Sequence, residues 1–395
     1  MPTSTARQPA QFSFETASNS RPATIGMLST YPPTQCGLAT FSAALVQHLR
    51  RGAGSLGVVR VVDGPVIGHD RDVVAHLVNG SPDSGGAAVR RLNGFDAVVI
   101  QHEYGIYGGA DGIDVLSIVD AMTVPTIIVL HTVLQDPTAG QRHILLRLLA
   151  AAHVVVTMTH TAKRRLVASY GADPAQVVVI PHGAVDHGRP APVEHRPGAR
   201  PLVLTWGLLG PGKGIEWAID AMAGLRDLRP RYLVAGRTHP KIAHRDGEVY
   251  RDSLVERARS AGVADIVELD DRYLDAAALA GLVQRAAVVL LPYDSREQVT
   301  SGVLIEAVAA GRPVVSTAFP HAMELLGDGT GLVVPQRDPA ALETALRRVL
   351  SEPDLAAGMA EQAVRKSPEL LWPAVADRYR KIAMQLVAAG MAEAS

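Results

Sequence analysis

Gly207-Leu208-Leu209-Gly210-Pro211-Gly212-Lys213-Gly214 stands between an apolar run and a helix-like stretch. Glycines at such a point let the backbone approach a ligand, helix N-terminal amides favour an anion, and Lys213 adds a full positive charge. The segment reads as a pyrophosphate cradle or as an ordinary glycine-rich turn. Its spacing is neither the dinucleotide glycine fingerprint nor the Walker loop, whose Lys is followed by Ser or Thr. A second segment, Gln298-Val299-Thr300-Ser301-Gly302-Val303-Leu304-Ile305-Glu306, follows the apolar run that ends at Leu291-Pro292-Tyr293. Thr300 or Ser301 is a candidate helix cap that would leave amides open to a ligand, with Gln298 on the loop and Glu306 on the helix. The alternative is a plain cap and a solvated glutamate.

His102-Glu103-Tyr104-Gly105 and His131-Thr132 each begin directly after an apolar run. In open α/β sheets ligands bind beyond the carboxyl ends of strands, so position makes both histidines candidates; structural or solvent-exposed histidines are the competing reading. Tyr104 and Tyr107 beside Gly105, Gly108 and Gly109 suit a carbohydrate surface, as an alternative to a packed turn. The spacing of His102, Glu103 and His131 matches none of the helix-borne zinc motifs, so no metal is expected.

Other chemistries find no support. There is no Gly-x-Ser-x-Gly elbow, and the single cysteine, Cys36, can form neither an internal disulfide nor a cysteine zinc cluster. A reducing, cytoplasmic setting is the expectation. Lys and Arg number 38 against 39 Asp and Glu, a net charge of -1, so nothing draws the whole chain toward nucleic acid. Residues 1–22 lack the apolar core of a secretory signal and read as a flexible tail.

These residues need strands to end beside them. Ala97–Ile100, Thr126–Leu130, Val154–Val156 and Val177–Ile180 are short continuous apolar runs, the mark of strands buried on both faces of a parallel sheet. A second series follows at 202–204, 232–235, 266–269, 287–291, 313–316 and 331–334, with helical stretches between, one capped by Asp338. Between the series, Asp186 to Pro201 carries four prolines and two glycines and interrupts every pattern. The expected organisation is therefore a Rossmann-like doubly wound domain over 23–186, a linker at 187–201, a second over 202–373, and a terminal helix within 374–395 that packs back on the first.

The ordered set of motifs resembles the retaining glycosyltransferases of family four. It comprises Tyr31-Pro32-Pro33-Thr34-Gln35-Cys36-Gly37, His131-Thr132, Ile180-Pro181-His182-Gly183, Gly207 to Gly214, Gln298 to Glu306, Gly311-Arg312-Pro313, Glu324-Leu325-Leu326 and Gly331-Leu332-Val333-Val334. The resemblance implies the GT-B fold, two Rossmann-like domains facing across a cleft, the first for the acceptor and the second for a nucleotide-diphosphate sugar. It implies that Lys213 neutralises the diphosphate, that Glu306 holds ribose hydroxyls, and that Gln298 with the Thr300 and Ser301 backbone meets the donor sugar. His131 would lie beside the transferred sugar. Gly37, Gly207, Gly212, Gly302, Val303 and Leu304 would border the donor, with Arg237 as a further phosphate contact or a surface arginine. Apart from the resemblance, His102, Glu103 and Tyr104 are read as contacts for the acceptor, with a packed turn as the alternative.

No cofactor is implied beyond the co-substrate, with GDP-mannose favoured among donors. Acceptors in the family include carbohydrates and lipid-linked sugars, and Lys163-Arg164-Arg165 would aid peripheral membrane association or form a solvated helix face. Two departures stand out: the family commonly has a glutamate where this chain has Gln298, and an arginine where it has Leu208. A sugar phosphorylase and an inactive sugar-nucleotide binder are the alternative readings.

Overall fold

The computed structural model describes residues 22–52, 54–66, 70–188, 200–272 and 274–393. The tail expected at 1–22 and the linker expected at 187–201 lie almost entirely outside the described residues. The chain divides into two compact units: His182–Leu371 form the second, and the chain up to Pro181 together with the stretch from Trp372 forms the first.

In the first unit the elements run β1 (Ile25–Ser29), α1 (Gly37–Leu49), β2 (Leu56–Val62), β3 (Val73–Val78), α2 (Pro82–Leu92), β4 (Ala97–His102), α3 (Val115–Asp120), β5 (Thr126–Leu130), α4 (Ala139–Ala151), β6 (Val154–Thr157), α5 (His160–Tyr170) and β7 (Val177–Val179). The strands form one parallel sheet in the order β3-β2-β1-β4-β5-β6-β7. Helices start where their sequences offer caps: Thr138 and Gln141 make a reciprocal capping box on α4, and Thr159 caps α5.

The second unit runs β8 (Leu202–Trp206), α6 (Ile215–Met222), β9 (Arg231–Ala235), α7 (Pro240–Asp246), α8 (Val249–Ser260), β10 (Val267–Asp270), α9 (Ala276–Arg285), β11 (Val288–Leu291), α10 (Gly302–Ala309), β12 (Val314–Thr317), α11 (Pro320–Leu326), β13 (Gly331–Val334), α12 (Pro339–Ser351) and α13 (Pro353–Leu370). Its parallel sheet has the order β10-β9-β8-β11-β12-β13. Asp338 caps α12 through the Ala341 amide. Ala184 belongs here, because its amide donates to the Leu370 carbonyl at 2.8 Å.

The last helix, α14 (Trp372–Glu393), returns to the first unit. Trp372, Val375, Tyr379 and Ile382 share a core with Phe41, Leu45 and Leu49 of α1, and the Phe41 and Trp372 rings meet edge-on at 5.1 Å. At about 1.5–3 kcal/mol for each large apolar side chain fully buried, α14 is an integral wall of this unit.

In both sheets chain order reverses beside the first strand: between β1 and β4, and between β8 and β11. Loops leaving the carboxyl ends at such a point diverge and leave a crevice. In the second unit those loops are 207–214 and 292–301.

Candidate functional site

The loop after β8 is shaped by glycines at positive φ: Gly207 at 118°, Gly212 at 89° and Gly214 at 62°. A Cβ on Gly214 would lie 1.9 Å from the Pro292 carbonyl oxygen, and the Asp294 amide donates to Gly212 O at 3.1 Å, so this loop is fitted against the one after β11. The Lys213 ammonium lies 4.1 Å from the centroid of the buried Tyr293 ring. That contact holds a cation beside the switch point.

Gly207 is backed by Gly236, at φ 152° after β9, where a Cβ would lie 2.0 Å from Gly207 O. Arg251 of α8, itself buried, donates to the Gly236 carbonyl. Gly236→Ala should therefore force the two backbones apart, costing on the order of 3 kcal/mol. A chemical denaturation midpoint equal to wild type would show that the close approach is not obligatory.

Ser301 caps α10, its hydroxyl accepting the Leu304 amide at 3.3 Å, while its own amide donates to Nδ1 of His321 at 2.8 Å. Two expectations are corrected here. The Ser301 amide is engaged by His321 rather than offered to a ligand, and Leu304 has its side chain fully buried and its amide taken by the cap. The amides of Gly302 and Val303, also in the first turn, have no acceptor within the helix. Val303 packs toward Gly207, 3.6 Å from where a Cβ there would sit, which brings the two loops together. The buried Thr300 hydroxyl has no hydrogen-bond partner. Gln298 is half-buried on its loop. Glu306 accepts from His187 Nε2 at 3.2 Å. Exposed Arg237 reaches the Asp271 carbonyl at 3.4 Å and is held at the surface beyond β9.

In the first unit Gly37 opens α1 behind the Cys36 cap, and no other group lies within 4 Å of where its Cβ would be. His131 follows β5, with Nε2 2.7 Å from Gln101 Oε1 and its ring edge-on to Phe41. Glu103 accepts from the Thr132 hydroxyl at 2.5 Å and from the Tyr104 amide at 3.1 Å. His102 does not reach a surface: it is fully buried, both ring nitrogens are unpartnered, and burial pushes its pKa down to about 4. Direct acceptor contact by that ring is therefore corrected, because strand β4 carries it into the core. Tyr104 is also largely buried, its hydroxyl donating to Gln141 O at 3.3 Å.

His187, His321, Tyr293, Gln101 and Arg251 were not among the candidates. Tyr293 lies just beyond β11 and His321 in the helix that follows β12, near carboxyl ends of strands as His102 and His131 are, so a wider form of the same positional argument reaches them. Lys163, Arg164 and Arg165 donate to Val177 O, Thr161 Oγ1 and Val133 O, so these three cations serve local structure. A cavity of about 250 Å³ lies at the amino ends of β9 and β10, the edge opposite the glycine loop, and its Arg231 and Glu268 pair at 2.7 Å. Among the described residues no helix is long and apolar enough to cross a membrane, and no cluster of three or more His, Cys, Asp or Glu is placed to hold a metal.

Two parallel Rossmann-like sheets, each with a reversal beside its first strand, define a GT-B class protein. Residues 40–187 match the model described as Glycosyltransferase Family 4, and residues 200–352 the model described as Glycosyl transferases group 1. The chain belongs to the family-four glycosyltransferases. It is 31% identical over 251 residues to a D-inositol 3-phosphate glycosyltransferase of Kineococcus radiotolerans, covering 58% of this chain and 56% of that one. It is 30% identical over 227 residues to a glycogen synthase of Mycobacterium tuberculosis, covering 56% of this chain and 51% of the relative. The chain thus spans little more than half the length of these curated relatives. The HepE protein of Anabaena, solved with UDP and glucose, superposes with a TM-score of 0.73 at 16% identity over 91% of this chain and 98% of that one, a likeness of fold.

Proposed function

We propose that this protein transfers a hexose from a nucleotide-diphosphate sugar to a hydroxyl-bearing acceptor with retention of anomeric configuration. The observation that carries the reading is the pairing of two loops at the switch point of the second sheet: the glycine loop bearing Lys213 over Tyr293, and the Ser301-capped start of α10. Departure of a nucleoside diphosphate builds negative charge on its terminal phosphate. Lys213 and the Gly302 and Val303 amides are donors suited to that charge. Glu306, oriented by His187, receives ribose hydroxyls, and Gln298 meets the sugar, where an amide donates as well as accepts. His131, steadied by Gln101, is the first unit's candidate for contact with the transferred sugar.

Retention by two displacements needs a carboxylate nucleophile at the anomeric carbon, and no candidate stands out. Attack on the same face, with the leaving phosphate taking the acceptor proton, needs only the charge stabilisation described. Donors for the test are GDP-mannose, UDP-glucose and UDP-N-acetylglucosamine, each with D-inositol 3-phosphate or a short glucan as acceptor. Mass spectrometry should detect release of GDP or UDP with a glycosylated product for one combination. Nucleotide binding without transfer or hydrolysis supports the inactive binder, and phosphate-dependent sugar release supports the phosphorylase.

A further inference from the structure

The turn from β12 into α11 braces both loops of the donor site. The Thr317 hydroxyl donates to the Tyr293 carbonyl, and the buried Phe319 ring lies 5.2 Å from the Tyr293 ring that carries Lys213. Two residues on, His321 is 2% exposed and its Nδ1 accepts the Ser301 amide at 2.8 Å. Accepting at Nδ1 requires a neutral ring with its proton on Nε2.

Ser301 is the hinge of the local geometry. Its backbone is extended, at φ -137° and ψ 110°, its hydroxyl caps Leu304, and its carbonyl accepts the Ile305 amide at 3.2 Å. An extended cap with an unpaired buried amide would be free to rotate toward any other acceptor, carrying the first turn of α10 with it.

We propose that His321 is a positioning residue for the donor diphosphate: by holding the Ser301 amide it fixes the cap and leaves the Gly302 and Val303 amides aimed at the phosphates. The inference rests on the donor-site reading above and deepens it. It names a side chain that touches no substrate yet decides which amides do. Burial supports it by keeping the ring neutral, with its pKa pushed down to about 4; Glu324 acts against that shift and His182 adds to it.

The test uses the full chain and isothermal titration with UDP and with GDP. H321L removes the acceptor at similar volume, while H321N places an amide oxygen the same number of bonds from Cα as Nδ1. H321L should weaken binding of the nucleotide that wild type prefers by about tenfold and speed hydrogen exchange at the Ser301 amide. H321N should stay within about threefold of wild type in both. If H321L does not fold, H321Q, whose oxygen reaches one bond too far, takes its place with the same expectation. Wild-type affinity in H321L, or an equal loss in H321N, overturns the inference. Lys213→Ala measured alongside separates the two levels. If wild type binds neither nucleotide, or the lysine variant binds as well as wild type, the donor site itself is wrong and both readings fall. If the lysine variant loses binding and H321L keeps it, His321 alone is dismissed.

Discussion

Replacing Lys213 with alanine should lower turnover by roughly 100-fold to 1000-fold, the scale seen when one preorganised donor to a developing anion is removed. The ammonium is held 4.1 Å over the Tyr293 ring between two loops at the strand-order reversal, so its position is set before any ligand arrives. The same contact contributes to stability by about 0.5–2 kcal/mol, too little for its loss to unfold the unit. Activity and folding therefore separate: steady-state transfer collapses while the circular dichroism spectrum and melting midpoint stay close to wild type. Transfer within threefold of wild type would remove Lys213 from the chemistry.

The second large effect is on stability in acid. His102 and His321 are buried in neutral form, each with its pKa pushed from about 6.5 down to about 4 by burial. Between those values the unfolded chain binds protons that the folded chain refuses, so stability is fully present above pH 6.5 and is lost as pH falls toward 4. Each histidine accounts for a loss on the order of 3 kcal/mol across that window. For His102 the ring faces Tyr104 at 5.0 Å and has no hydrogen-bond partner. His102→Leu should therefore flatten the decline without reducing the midpoint at neutral pH. Carboxylates held low by arginines, such as Asp270 beside Arg272, act at lower pH and leave this window to the histidines. Melting midpoints every half unit from pH 7.5 to 4 decide the matter, and an unchanged slope in the variant would refute the assignment.

Where apolar runs were continuous, the sheet was readable: β4 to β13 lie on the stretches singled out by their Val, Ile and Leu content. β1, β2 and β3 escaped for a packing reason. Gly26 in β1 and Gly57 in β2 face the Phe95 ring, which a Cβ at either position would approach to 2.7 Å. The space that larger residues would fill is occupied by an aromatic from outside the strand. Arg60 of β2 breaks the pattern again, buried and donating to Pro32 O at 3.1 Å, and β3, carrying His76, is a half-exposed edge.

The site followed a similar division. Lys213, the glycines and the Ser301 cap are local features and could be read from adjacent residues. The acceptor of the Ser301 amide lies 20 positions away, and the partner of Glu306 lies 119 away. Such pairings are created by the sheet order and carry no local pattern. His102 was misplaced because a strand-end position does not say on which side of the sheet's rim a ring will settle.

The wall that α14 contributes makes the first unit discontinuous in sequence: its sheet is complete by Val179, yet its covering helix begins at Trp372. During synthesis the second unit can close as soon as Leu371 has emerged, while the segment made earliest must wait with the α1 flank of its core uncovered. A chain stopped between Leu371 and the end of α14 leaves the ribosome with a finished second unit and an unfinished first one. The order of maturation thus runs opposite to the order of translation.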